Sequence, residues 1–383
     1  MAKRKYKRSN SVSGGKGRKR GRNATVSYRL KPQYVIMAII LIAVIVVGYF
    51  FYRSYKDKIK TDVIVDGDLS FHFMMLGNKY SGDSIYVKAG DTDILIDAGS
   101  KTTSVDAITD YLKDYVTDNV LEYVVVTHAH DDHYAGFLPA DGIFNRFECG
   151  TIIDFPRTNN VGKTNYNKYV ENRQKEIEAG ATHYTALECY NEQNGAKRIF
   201  SLSDDVNMEI LYQKFYENDS ADENNYSVCL RFVHGDREFL FTGDLEKEGE
   251  KSLAEKNSLS QAELFKAGHH GSKTSSNDEL LSVIRPKICV VCCSAGYNQY
   301  GAKEENVFPT QAFIDRISKY TDKVYVTTLG DPSFTDGADY LPMNGNVVVA
   351  SGKDGVSVKC SASDVLLKDT LWFKNNRTAP LWN

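Results

Sequence analysis

The distribution of apolar and polar positions divides the chain into unlike parts. Residues 1–33 contain no apolar run; basic side chains alternate there with Gly, Ser and Asn. Such a segment cannot bury a core, and it predicts a disordered tail. Residues 35–51 are then apolar and uncharged without a break, flanked by Tyr34 and Tyr52. As a helix, residues 34–52 would span about 28 Å, close to the hydrocarbon thickness of a bilayer, with the tyrosines at its two faces. The run has no polar face for a core helix and no small-x-small cleavage site for a signal peptide. It predicts one transmembrane helix in contact with lipid. Residues 53–66 read as a linker.

From residue 67 to 362 the pattern becomes short apolar runs separated by turns. Residues 69–76, 84–88 and 93–96 read as strands, and residues 105–115 place Val105, Ile108 and Leu112 on one helical face. Residues 121–126 predict a buried strand. A polar stretch over 158–179 ends in helical spacing closed by Gly180. Residues 208–211, 228–233 and 238–242 read as strands, the last two joined by a turn at His234-Gly235-Asp236-Arg237. Residues 288–293, 324–328, 346–350 and 356–359 complete the strands, and 277–284 and 310–320 read as helices. Strands alternating with helices predict a layered α/β sandwich with its site at strand ends. Residues 363–383 are left as a C-terminal extension.

Charge sharpens this division. Residues 1–60 hold 16 of the 47 basic residues and one of the 50 acidic ones. Twelve of those basic residues precede the apolar run, which predicts a cytoplasmic N-terminus and an extracellular main domain in a single-pass protein of the cell membrane. The remaining residues carry a net charge of −18. A domain that acidic repels polyanions at long range, which counts against a general nucleic-acid binder. Seven cysteines, an odd number without framework spacing, predict no set of disulfides. Cys289 and Cys292 form a C-x-x-C, but inside an apolar run, where cysteine acts as a small hydrophobe.

The densest chemistry comes after residues 121–126: Thr127-His128-Ala129-His130-Asp131-Asp132-His133. The chain has eight histidines, and three of them fall within these seven positions. Crowded imidazoles repel unless a cation holds them. His128 and His130, two apart in an extended segment, project to one side and can chelate one ion. Asp132 and His133 come after a turn and would reach a second. His269 and His270 form another cluster. His72, His183 and His234 sit in contexts without ligand logic and read as structural.

The pattern H-x-H-x-D-H after a strand and a Thr resembles the metallo-β-lactamase superfamily. Gly82-Asp83-Ser84, the run Ile94-Leu95-Ile96-Asp97-Ala98-Gly99, Asn224-Asn225-Tyr226-Ser227-Val228, Phe239-Leu240-Phe241-Thr242-Gly243-Asp244 and His269-His270-Gly271-Ser272-Lys273 occur in order. Together with Pro286-Lys287-Ile288 they resemble the extracellular hydrolase domain of ComEC-type DNA-uptake proteins, over roughly residues 68–360. The teichoic-acid phosphorylcholine esterases share similar landmarks. The resemblance implies an αββα four-layer sandwich and two divalent transition-metal ions, zinc or manganese. His128 and His130 would hold one ion, Asp132 and His133 the other, and Asp244 would bridge them. One of His269 and His270 would ligate, the other touching substrate or a supporting carboxylate. Many superfamily members add a histidine between the H-x-H-x-D-H loop and the bridging Asp. Here that region reads Asn224-Asn225-Tyr226-Ser227, which leaves the His128/His130 ion one protein ligand short.

The implied chemistry is hydrolysis by a metal-bound hydroxide, since zinc lowers the pKa of bound water to about 7. Asp132 and His270 are the expected catalytic residues, with Asp131 a rival to steer the proton. Ser272 and Lys273 are candidate donors to a phosphate oxygen; the competing role is a helix N-cap, for which Ser275 and Ser276 also qualify. The expected substrate is a phosphodiester, in nucleic acid or in an envelope polymer. A carboxylic ester or lactone hydrolase is an alternative, as is a non-catalytic binding or assembly protein of the same fold.

Overall fold

The structure is a computed structural model that describes residues 33–35, 37, 40–43, 46–47, 68–297, 299–300, 303–330 and 339–382. The basic tail, the linker over 53–66 and much of the apolar run over 34–52 lie outside the described residues. Those described within the run are helical and exposed, Met37 and Leu41 among them. Among the described residues no helix is long and apolar enough to cross a membrane.

Two mixed eight-stranded sheets form the main domain. With β6 (Thr182–Thr185), β7 (Ile199–Ser201), β8 (Val206–Leu211), β14 (Tyr340–Pro342), β15 (Val347–Gly352) and β16 (Gly355–Cys360) beside the strands that position the site, the first sheet runs β16-β15-β1-β2-β3-β4-β5-β6 and the second β14-β13-β12-β11-β10-β9-β8-β7. The strands that position the site are β1 (Leu69–Phe73), β2 (Ile85–Ala89), β3 (Thr92–Ile96), β4 (Val120–Val126) and β5 (Glu148–Asp154) in the first sheet. In the second they are β9 (Cys229–His234), β10 (Arg237–Phe241), β11 (Ala262–Lys266), β12 (Ile288–Ala295) and β13 (Val324–Gly330). The inner faces interdigitate through aromatic rings: Phe71 lies 5.2 Å from Phe232, 4.9 Å from Phe239 and 5.2 Å from Phe241. Helices α1 (Ser104–Leu112) and α2 (Thr164–Ala179) pack on the first sheet. Helices α3 (Lys247–Lys256), α4 (Asp278–Ile284) and α5 (Gln311–Ile317) pack on the second. The result is the four-layer α/β sandwich that the resemblance implied.

Sheet direction places the site. Strands β3, β4 and β5 run parallel, so their C-terminal ends share one edge. Strands β10, β11 and β12 do the same in the second sheet. The histidine motifs and Asp244 leave the strands at these ends.

Several elements differ from the sequence-based expectation. Strand β5 and strand β11 were not anticipated. In β5 the polar start and Gly150 mask the pattern, and Gly150 is needed because a Cβ there would meet the Glu122 carbonyl oxygen at 2.8 Å. Strand β11 is only five residues long and carries Glu263 and Lys266, so its alternation is faint. Helix α3 has Leu253 as its one large apolar side chain. The C-terminal segment joins the core: Leu367, Phe373 and Trp382 are buried, and Trp382 Nε1 donates to the Thr321 carbonyl at 2.8 Å. The cysteines are unpaired, and β12, with Cys289, Cys292 and Cys293, is buried along its whole length.

His72 on β1 is buried, with Nδ1 2.7 Å from the Tyr111 hydroxyl and Nε2 2.9 Å from Ser70 Oγ. Burial lowers its pKa to about 3. The unfolded chain therefore binds a proton at His72 between about pH 6.5 and 3 that the folded chain does not. Stability from this residue is complete above pH 6.5 and is lost as pH falls towards 3. His72→Gln should flatten the acid limb of a stability-versus-pH curve, removing a slope that approaches about 1.4 kcal/mol per pH unit. Denaturant melts from pH 7 to 4 will show whether it does; an unchanged slope would mean that His72 does not titrate on unfolding.

Candidate metal centre

Strand β4 ends at Val126, and Thr127 anchors the loop that leaves it: its N–H and its hydroxyl each donate to Asp97 at 2.7 Å. The chain bends at Ala129, and His130, extended, precedes a short helical turn, Asp131–Tyr134. His128 and His130 converge as their spacing predicts, with His128 Nε2 and His130 Nδ1 3.0 Å apart. The turn then swings His133 into the interior, where it is fully buried.

At its centre His133 meets Asp244, from the loop after β10, and His270, from the loop after β11. His133 Nε2 is 3.1 Å and His270 Nε2 3.4 Å from Asp244 Oδ2. Asp83, from the loop before β2, completes a group of four whose donor atoms all lie within 4.8 Å of one another. Its Oδ1 is 3.2 Å from His270 Nδ1. Asp83 Oδ1, His133 Nε2, Asp244 Oδ2 and His270 Nε2 are all buried, and although they lie at ion-pair distance from one another, none of the four makes a hydrogen bond of regular geometry. Such groups are costly to leave unsatisfied, and a divalent cation satisfies all of them at once. The donor set fits the ion that the resemblance implies.

Neighbouring groups fix which ring nitrogen faces inward. His133 Nδ1 is 2.8 Å from Asp97 Oδ2, and His270 Nδ1 donates to the Cys292 carbonyl at 2.9 Å. Both histidines therefore turn Nε2 to the centre, the usual way a supporting carboxylate or carbonyl orients a ligand. Burial disfavours a charged imidazole, but Asp244 and Asp97 override it at His133, whose pKa rises well above the ordinary range. At His270, Asp244 and Asp83 likewise overcome burial and push the pKa up to about 9. At His128 burial acts with repulsion from His133 and His130, and the ring stays neutral. Loading a metal would release the protons on His133 and His270.

Three residues of this centre were not singled out from sequence. Asp83 and Asp97 lay in quoted landmarks but were given no role there. Lys266, at the end of β11, is 1 % exposed and had no signal in the sequence, where β11 itself was not anticipated. Its Nζ pairs with Asp83, lies 3.5 Å from Asp244 Oδ1 and donates to the Gly243 carbonyl at 3.2 Å. Burial opposes its charge, yet Asp83 and Asp244 raise its pKa.

The other expected residues divide. Asp132 stands at the rim: Oδ2 is 3.4 Å from His270 Nε2 and accepts the Tyr300 hydroxyl at 2.6 Å. Of the histidine pair, His270 joins the buried group. His269 faces outward, with Nε2 3.9 Å from Asp244 Oδ2 and Nδ1 3.2 Å from both Thr274 Oγ1 and Ser272 Oγ. Lys273 is exposed and paired with Glu305 at 3.0 Å. The residue that precedes α4 as its N-cap is Asn277, not Ser275 or Ser276. His183 binds Asp154 at 2.9 Å and His234 binds Ser351 Oγ at 2.9 Å; neither belongs to the group. Above the centre opens a cleft of 790 Å³ lined by His130, Asp132, His269, Tyr300, Lys101 and Lys163, among others.

Two mixed sheets whose strand ends converge on a buried His/Asp group define a metal-site α/β sandwich. In comparison with known proteins, residues 77–145 and 220–295 match the family model of the metallo-beta-lactamase superfamily. Among curated proteins it is 40 % identical over 80 residues to ComE operon protein 3 of Bacillus subtilis, covering 21 % of this chain and 10 % of that protein. It is 37 % identical over 130 residues to competence protein ComA of Neisseria gonorrhoeae, covering 33 % of this chain and 17 % of that one. The chain thus matches only a small part of the length of these relatives. A similar solved structure is the metallo-beta-lactamase fold protein YhfI of Bacillus subtilis, with a TM-score of 0.41 and 11 % identity over 68 % of this chain and 96 % of that one.

Proposed function

We propose that the protein is a metal-dependent hydrolase of phosphodiesters, tethered to the cell membrane by residues 34–52 with its main domain outside. The single observation that carries the hydrolase reading is the convergence of four buried donor atoms without a regular hydrogen bond, from Asp83, His133, Asp244 and His270, below an open cleft. Bound divalent ions would supply a Lewis acid there and lower the pKa of water. His133 and His270 are held for that role by Asp97 and the Cys292 carbonyl. Asp132, gripped by Tyr300, sits where a proton from the attacking water can be taken up. Lys101 and Lys163 on the cleft wall offer positive charge to a substrate phosphate within an otherwise acidic domain. The substrate in this reading is a phosphodiester of nucleic acid, as the likeness to competence proteins favours, or of an envelope polymer.

The detergent-solubilised protein is expected to hydrolyse bis-nitrophenyl phosphate slowly, to lose the activity to a chelator and to regain it with zinc or manganese. A metal-replete protein inactive on phosphodiesters but active on a carboxylic ester or lactone would overturn the phosphodiesterase reading.

A further inference from the structure

The buried group of four accounts for one ion. His128 and His130 converge beside it, but no third histidine or acidic side chain joins them among the described residues. The segment that replaces the expected histidine is the short helical turn Glu223–Tyr226 with Ser227 after it. Ser227 ties this segment to both groups. Ser227 Oγ is 3.4 Å from His128 Nδ1 and accepts the Asp244 N–H at 3.0 Å. Asn224 lines the same cleft as His130, Asp132 and His269 and is 5 % exposed.

The amide of Asn224 has a defined orientation. Its Nδ2 lies 3.4 Å from Glu246 Oε1 and 3.4 Å from His269 Nδ1. A carboxylate only accepts, so nitrogen and not oxygen must face Glu246. The carbonyl Oδ1 is therefore the free end of the amide; it is buried and has no hydrogen-bond partner. A buried, unpartnered carbonyl is unfavourable unless a ligand satisfies it. His128 uses Nδ1 towards Thr127 Oγ1 and Ser227 Oγ, which leaves Nε2, beside His130, to ligate.

We propose that Asn224 Oδ1 is the third protein donor to the ion held by His128 and His130. The inference rests on the two-ion reading but not on any substrate. Replacing an imidazole by a neutral amide oxygen makes this the weaker and harder of the two positions. Carbonyl oxygen suits manganese better than it suits softer ions, whereas His133, His270 and Asp244 form a tight zinc-like set. The two ions therefore differ in affinity and in preferred metal.

The test is metal binding to the full-length protein in detergent, stripped by chelator and titrated with manganese or zinc, with calorimetry and the resonance signal of free aquo-manganese as readouts. The wild type should show two classes of site. His128→Ala marks the weaker class by abolishing it. Asn224→Ala should weaken that same class at least tenfold and leave the tight class intact. Asn224→His should retain both classes and raise zinc affinity at the weaker site at least tenfold relative to manganese; this variant decides the matter if Asn224→Ala fails to fold. Two unchanged classes in Asn224→Ala, loss of the tight class instead, or a single class in the wild type would each overturn the assignment. A protein that binds two ions in this manner yet cleaves no phosphodiester would leave Asn224 a ligand and refute the functional reading alone.

Discussion

Lys266→Met should destabilise the metal-free protein by about 3–5 kcal/mol, the usual cost of removing one partner of a buried ion pair. The lysine is buried to 1 % exposure between two carboxylates, paired with Asp83 and 3.5 Å from Asp244 Oδ1. Methionine keeps the length and apolar stem but removes the ammonium from between both acids, leaving them only the imidazoles of His133 and His270. Asp83 is otherwise disfavoured as an anion by burial, and Lys266 is the leading reason that its pKa is lowered. The loss should be smaller when zinc is present, because a bound ion restores positive charge at the same carboxylates. Denaturant midpoints with and without metal measure both effects. A shift below about 1 kcal/mol in the metal-free protein would show that the pair contributes little net stability, as some buried pairs do.

The second large effect is catalytic. Asp132→Ala should lower the phosphodiesterase rate by about a thousandfold or more, several kcal/mol of transition-state stabilisation, with little loss of fold. Asp132 is the carboxylate at the boundary between buried group and cleft, with one oxygen 3.4 Å from His270 Nε2 and in reach of the Tyr300 hydroxyl. Its backbone also serves the fold, since its carbonyl accepts the Asp83 N–H at 3.0 Å, but alanine preserves that bond. The decisive readout is the rate at saturating metal beside a melting curve. A variant that melts normally and retains more than a tenth of the rate would remove Asp132 from the chemistry.

Much of this centre was legible in the chain because its residues are chemically improbable elsewhere. Three histidines and two aspartates after an apolar strand have no comfortable explanation without a cation, and the structure brings His133 and His270 to one point with Asp244. The relative standing of His269 and His270 was not legible. Both adopt left-handed backbone conformations, and only the Cys292 carbonyl on β12, a strand away, selects His270 for the interior. Asp83, Asp97 and Lys266 were missed for a related reason. Each is a lone ionisable residue at a strand end or turn, where such residues are common, and their meaning arises only when the ends of two different sheets meet. Asn224 differed again: the missing histidine was visible in sequence, but an amide oxygen buried without a partner is a fact of packing. The unanticipated strands β5 and β11 show the same limit, since both owe their place to parallel neighbours and not to their own alternation.

Binding of a divalent metal among Asp83, His133, Asp244 and His270 is the premise of the hydrolase mechanism. Crystals of the zinc-loaded domain, with diffraction recorded on either side of the zinc absorption edge, locate the metal directly. An anomalous peak is expected at ligand distance, about 2.0–2.2 Å, from His133 Nε2, His270 Nε2 and an Asp244 oxygen. A zinc-loaded protein with no peak at that point, or with its strongest peak away from these three side chains, would contradict a metal centre there.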